Sequence, residues 1–384
     1  DIQWGGALFK ANAAAQSIAD GVADLGTVIA VYFPQEMLSY SFADLPMRNA
    51  DAWVGMRATD ELMRTSDAIT ASLADQNLVY LGTFTTSAVN IACKDAAIRS
   101  VEDISGLKIR GVGAYGDTFR DFGANMVAMP IYDAYQGLDT GLLDCSQGYS
   151  YAVTALKQQE VMTSYTLLNW GQVGALGIFM NKDAHDALDA ETQSALSEAG
   201  IAMADELGEL ITAANDAAVQ TMQEAGIEVI DLPAEERDKL VQKGQQYVDE
   251  WVERANAAGL DGVSLLEQYR ALLEKYAGER DSQGYHEPDH RIALGASAGS
   301  VSGQPVEPEW HGEHSPRDRE RRRDRRHRSR RMGHDRVRDM GGGGGGREGE
   351  AGWAAQVVTA TTPNPARGNR RTRRSGGRSG RHRR

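Results

Sequence analysis

With 384 residues and a formal net charge of −13, the chain has the length of two or three domains, but that charge averages two unlike parts. Residues 280–384 hold 24 arginines, no lysine and 13 acids, net +11, whereas residues 1–279 hold 17 lysines plus arginines against 41 acids, net −24. An acidic, alanine-rich body of that kind excludes nucleic-acid binding through its own charge, and no run of 18 apolar residues marks a membrane-spanning helix.

In chain order, the pattern predicts a helix over 11–19, ended by Gly21, and a strand over 25–31, stopped by Pro34. Helices are expected over 51–64 and 66–75, then a strand over 78–84. Residues 87–93 alternate as an extended segment crossing into a second lobe. The stretch 106–151 is an α/β relay: a strand over 107–110, a glycine turn, and a short helix over 117–123. A strand over 126–131, a helix over 133–138 and a strand over 142–146 complete it. Gly21-Val-Ala-Asp24 and Gly141-Leu-Leu-Asp144 repeat one device, a helix ended by glycine and an aspartate at the mouth of a strand.

Arg110 stands out, as a cation at the carboxyl end of a strand beside glycines that let a ligand approach the backbone. A guanidinium fork there matches the two oxygens of a carboxylate. The same glycines form Gly111-x-Gly113-x-x-Gly116, with Asp133 downstream, so an NAD(P)-dependent oxidoreductase is a competing reading. Against it, the helix after the glycines is short and no hydride-transfer site follows.

Beyond the relay, the sequence predicts a helix over 151–160 and strands over 165–170 and 175–180. The longest element is a helix over 190–225 with Asp189 as N-cap and Gly226 just past its end. Thirty-six residues would span about 54 Å, so this helix should run along both lobes, with a kink expected at Gly200 or Gly208. A last strand over 227–231, assigned to the first lobe, and helices over 234–257 and 265–276 close the body. Residues 280–384 lose all periodicity and contain Gly341–Gly346, a run of six glycines. They are expected to be disordered. Residues 317–338 read either as a nucleic-acid-binding arm or as the product of a GC-rich gene translated out of frame.

These residues resemble the periplasmic solute-binding proteins of tripartite ATP-independent (TRAP) transporters, the DctP-like family. The resemblance rests on Gly21-Val-Ala-Asp24-Leu25, on Val101–Arg110 (VEDISGLKIR), on Phe122–Pro130 (FGANMVAMP), on Tyr135–Asp144 (YQGLDTGLLD) and on Met180-Asn-Lys-Asp183. It covers roughly residues 1–279. It implies a two-lobed α/β fold with lobe 1 over 1–86, lobe 2 over 87–189, and a bridging helix, a lobe 1 strand and closing helices over 190–279. It also implies a periplasmic monomer that binds a small carboxylate through Arg110 and hands it to membrane permease subunits, with no cofactor and no turnover. By the same resemblance, a strand and helix are expected ahead of Asp1.

The family often carries a second basic residue on the crossing strand, where Val89 and Asn90 stand, and an asparagine where Gln147-Gly148 stands. Both departures argue against a dicarboxylate. Tyr32, Phe33, Tyr115, Tyr149, Tyr151 and Trp170 fall in strand-end loops, so one arginine with aromatic walls suits a monocarboxylate with a flat or apolar body. Asn90, Gln147, Asn169 and Gln172 are the candidates for reading its hydroxyl or keto oxygen. The single histidine of the body, His185, lies in a polar surface segment, and no nucleophile–base set or metal-spaced cluster accompanies it. Cys93 and Cys145 fit either a disulfide or two buried thiols.

Overall fold

The structure, a computed structural model, describes residues 2–3 and 6–285; residues 280–283, expected to be disordered, continue the last helix, and 286–384 lie outside the described residues. The first part of the chain contributes α1 (Ala14–Ala19), β1 (Leu25–Ile29), α2 (Ala52–Thr65), α3 (Asp67–Ala74) and β2 (Leu78–Phe84). The central part holds β3 (Val89–Cys93), β4 (Lys108–Arg110), α4 (Gly113–Asp121), β5 (Asn125–Val127), α5 (Ala134–Asp139), β6 (Cys145–Gly148) and α6 (Ser150–Ala155). Then come β7 (Ser164–Trp170), β8 (Leu176–Asn181), α7 (Lys182–Asp186), α8 (Ala190–Glu224), β9 (Glu228–Asp231), α9 (Ala234–Ala257) and α10 (Gly262–Gln283).

Each lobe is built on its own sheet. The first has the antiparallel order β1-β8-β2, and the second the mixed order β5-β4-β6-β3-β7-β9. The first lobe's core gathers Phe42, Trp53, Phe179, Trp251 and Tyr269; the second's gathers Tyr115, Phe119 and Trp170. The last strand, expected in the first lobe, instead pairs in parallel with β7 at the edge of the second sheet. The relay helix starts at Gly113 rather than Asp117, because the glycine turn is itself the first turn of α4.

Helix α8 is one continuous element of 35 residues, about 52 Å long, capped by Asp189, whose carboxylate accepts from Thr192 N at 2.8 Å. It packs on α2 and β2 of the first lobe and on α6 and β9 of the second, as its length demanded. The expected kink is replaced by close packing. A β-carbon on Gly200 would lie 1.8 Å from the Leu81 carbonyl oxygen, and one on Gly208 would lie 2.7 Å from Trp53 Cβ. These glycines admit a strand backbone and an indole against the helix.

The two cysteines are paired. Cys93 and Cys145 are register partners across β3 and β6 and form a disulfide with a sequence separation of 52.

Two segments, 85–88 and 171–175, carry the chain between the sheets and are bonded to one another. Thr86 N donates to the Val173 carbonyl at 3.1 Å, Val173 N donates to Thr86 Oγ1 at 3.0 Å, and Val89 N donates to the Gly171 carbonyl at 3.1 Å. Asp44 clamps the second segment by accepting from Ala175 N at 2.9 Å, while its Oδ2 is buried without a partner. Burial raises this carboxyl to about 7. The folded state therefore keeps a proton that the unfolded chain has lost above pH 4, so stability should fall as pH rises from about 4 to about 7 and level off above. In Asp44→Asn, which keeps the acceptor for Ala175 N, that slope should vanish. Urea unfolding of both proteins across pH 4.5–8 checks this; parallel profiles would contradict it.

Candidate functional site

β4 runs into the turn at Gly111, and its pairing with β5 and β6 fixes Arg110 between Val127 and Ser146. The Arg110 side chain is only 2% exposed. Its Nε donates to the Met129 carbonyl at 3.1 Å and its Nη1 to the Gln147 carbonyl at 2.9 Å. These two bonds lock the guanidinium plane and leave Nη2 without a hydrogen-bond partner among the described residues. None of the ion pairs among the described residues involves Arg110. A buried guanidinium held by carbonyls alone lacks the anion that would offset its desolvation.

Tyr132 and Tyr149 lie close enough to feel this charge, and Tyr32 and Tyr151 neighbour those two rings. Tyr149 caps α6, and its ring stacks on that of Tyr151 with centroids 6.4 Å apart and planes 20° off parallel. Tyr132 stands in the turn between β5 and α5, and Tyr32 reaches in from the turn after β1. Burial pushes the Tyr132 hydroxyl up to about 12; Tyr32 adds to the shift and the Arg110 guanidinium opposes it. Burial likewise raises Tyr149 strongly, again opposed by Arg110 and reinforced by Tyr151 and Tyr32. The cluster therefore combines a buried cation with aromatic rings, one of which, Tyr32, comes from the first lobe. Gln147 lies at its foot: its Oε1 accepts from Val112 N at 2.9 Å and its buried Nε2 has no partner.

Of the residues expected at the site, Gln147 and Tyr149 lie beside Arg110, and Tyr32 and Tyr151 lie beside Tyr149. Tyr115, Trp170 and Gln172 belong to the packing instead. The Tyr115 hydroxyl donates to the Gln172 carbonyl at 2.7 Å and accepts from Gln172 N at 2.8 Å, and its ring meets Trp170 edge-on at 4.9 Å. The Gln172 amide is spent on Thr86 O and Asn49 Nδ2. Phe33 turns into the first core. Asn90 and Asn169 bond to each other, Asn169 N donating to Asn90 Oδ1 at 2.9 Å, and line a different cavity whose walls do not include Arg110. Tyr132 was missed because the preceding strand was expected to run to residue 131. β5 ends at Val127, and the turn that follows presents this ring.

A β-carbon on Gly111 would meet Met126 at 2.8 Å and Gly116 at 2.9 Å, so these glycines seat α4 against β4.

Comparison with known proteins bears on the family and the fold. The family model for bacterial extracellular solute-binding protein, family 7 (DctP), matches residues 4–255. The 2,3-diketo-L-gulonate-binding periplasmic protein YiaO of Escherichia coli is 28% identical over 169 residues, which is 44% of this chain and 51% of that protein. The ectoine-binding periplasmic protein TeaA of Halomonas elongata is 25% identical over 195 residues, 50% of this chain and 56% of that protein. The chain thus spans about half the length of these curated relatives. A TRAP solute-binding protein from Rhodoferax ferrireducens, solved with copurified benzoate, superposes with a TM-score of 0.64 at 24% identity. That match covers 71% of this chain and 85% of the other, a likeness of fold. Two sheets bridged by a long helix and a family match across residues 4–255 lead to one conclusion: the chain belongs to the DctP family, family 7 of the bacterial extracellular solute-binding proteins.

Proposed function

We propose that this protein captures a monocarboxylate with a flat, aromatic or similarly apolar body and passes it, outside the cytoplasm, to the membrane permease of a TRAP transporter. It binds without chemical turnover. The observation that carries the reading is Arg110, a buried cation whose Nη2 has no partner among the described residues and whose other two nitrogens are spent on carbonyls. A ligand carboxylate would supply the missing charge, and Gln147 Nε2 is a second unused donor at the foot of the cluster. Tyr149 and Tyr151 form the stacked wall, Tyr132 the outer one. Tyr32 comes from the opposite lobe, so a ligand contacting it would draw the lobes together. The disulfide suits an oxidising compartment. No helix among the described residues is long and apolar enough to cross a membrane, so in this reading the permease supplies the membrane passage.

The relatives fit a carboxylate ligand without fixing which one. Structures of similar fold hold benzoate, 3-hydroxybenzoate, mandelate and pyroglutamic acid, and one curated relative, from Rhodobacter capsulatus, is a C4-dicarboxylate-binding protein. The cluster favours the first kind, because it joins Arg110 to walls made of rings. Calorimetry with benzoate and mandelate against succinate and malate separates the two classes. The monocarboxylates should bind at least about tenfold tighter, a difference of about 1.4 kcal/mol. Tighter binding of succinate or malate would overturn the aromatic-wall reading and leave Arg110 as the anion contact.

A further inference from the structure

A second cavity, of about 460 Å³, lies behind the crossing segments and does not include Arg110 or any tyrosine of its cluster in its walls. Its size is within the range of small-molecule sites. Its lining joins Ser87 of the crossing, Asn90 of β3 and Asn169 of β7 to Asn215 and Asp216 in the C-terminal half of α8 and to Asp51, the N-cap of α2. Three features set it apart from ordinary packing space. Ser87 is 3% exposed and its Oγ has no hydrogen-bond partner, an unsatisfied buried hydroxyl at the wall. Asn169 takes a left-handed backbone, φ +45°, on the strand that leads into the crossing, a conformation asparagine tolerates at some cost. The lining also contains no lysine, arginine or histidine. Its carboxylates are Asp51, already held by Arg280 at 2.8 Å and by the Tyr285 hydroxyl at 2.9 Å, and Asp216.

Such a wall repels an anion, so this is not a second copy of the carboxylate site. Amides, hydroxyls and carboxylates that mix donors with acceptors suit an uncharged polyhydroxylated molecule. We propose that this cavity is a binding site for a small sugar or polyol, and that its occupant acts on lobe closure. The coupling follows from the architecture. Asp51 belongs to the first lobe, Asn169 to the second, Ser87 to the crossing and Asn215 to the helix that spans both. A rotation of one lobe on the other therefore changes the shape of the cavity, and a ligand that prefers one shape shifts the equilibrium.

The test uses the full chain and a panel of D-glucose, trehalose and myo-inositol, with choline as a charged control, followed by calorimetry. At least one polyol should bind saturably with one site per chain. Val219→Trp, which fills the cavity from α8, should abolish that binding; Arg110→Met should leave it intact. The saturating polyol should also change benzoate affinity by about fivefold or more in either direction, the lower end of ordinary coupling between sites. The milder Ser87→Ala, which removes only the unpartnered hydroxyl, should weaken the polyol several-fold in a protein that melts as the parent does, and it keeps the test meaningful if the larger substitution fails to fold. Absence of saturable polyol binding to the folded parent protein would overturn the proposal. So would binding of choline alone, binding that survives Val219→Trp in a folded protein, or binding lost in Arg110→Met. Because the polyols carry no carboxylate, their direct binding stands apart from the benzoate comparison, and either site can fail without the other.

Discussion

Replacing Arg110 with methionine is expected to weaken a bound carboxylate by about 2–5 kcal/mol, roughly thirty- to several-thousand-fold, while the unliganded protein becomes no less stable. The two halves of this expectation have one cause. In the unliganded protein Arg110 is 2% exposed with two carbonyl partners and no acidic partner among the described residues, so its removal relieves a desolvation cost. With ligand present, the same charge meets a carboxylate in a dry setting, and its loss leaves that carboxylate buried alone. Arg110→Lys should recover only part of the affinity, since an ammonium cannot hold the Met129 and Gln147 carbonyls and the ligand in one plane. Thermal melts of the unliganded variants beside calorimetry would separate the two effects. A large drop in melting temperature with unchanged affinity would make Arg110 a structural residue and place the anion site elsewhere.

The second large effect concerns the disulfide. Removing it in Cys93→Ala/Cys145→Ala should cost about 4 kcal/mol by the loop-closure estimate, a fall in melting temperature of roughly 10 °C. The bond joins residues 52 apart and ties the central strands β3 and β6 of the second sheet, where both side chains are fully buried. Because Ile109 pairs with Cys145 and Arg110 with Ser146, slackening that pair should also loosen the strand that presents the guanidinium. Addition of reductant to the parent protein should reproduce the loss and have no further effect on the double variant. A double variant that melts within a degree of the parent would show that sheet packing alone holds this region.

What the sequence reveals and conceals follows the range of the interactions involved. Arg110 was legible because a strand end, a cation and glycines are all local signals. The long helix was legible from its apolar period and from Asp189 and Gly226 at its ends; Gly226 does adopt a left-handed φ of +79°. The sheet that β9 joins was not, since its parallel pairing with β7 links residues 64 positions apart, Ser164 with Glu228. The Cys93–Cys145 bond remained open for the same reason. Aromatic residues at strand ends gave an ambiguous signal, because the composition that builds a ligand wall also builds a core: Tyr115 and Tyr149 both sit in the second core, and only the proposed site gives Tyr149 a further role. Gly200 and Gly208 pointed to a kink when read within the helix alone; only the arrival of Leu81 and Trp53 from elsewhere in the chain gives them another purpose.

The most direct measurement is a crystal structure of the protein with the tightest-binding carboxylate of the calorimetric panel. A carboxylate oxygen should lie about 2.7–2.9 Å from Arg110 Nη2, with the body of the ligand between the Tyr149–Tyr151 stack and Tyr132 and with Tyr32 closing from the first lobe. A ligand seated elsewhere, with Arg110 still bonded only to the Met129 and Gln147 carbonyls, would contradict the account at its centre.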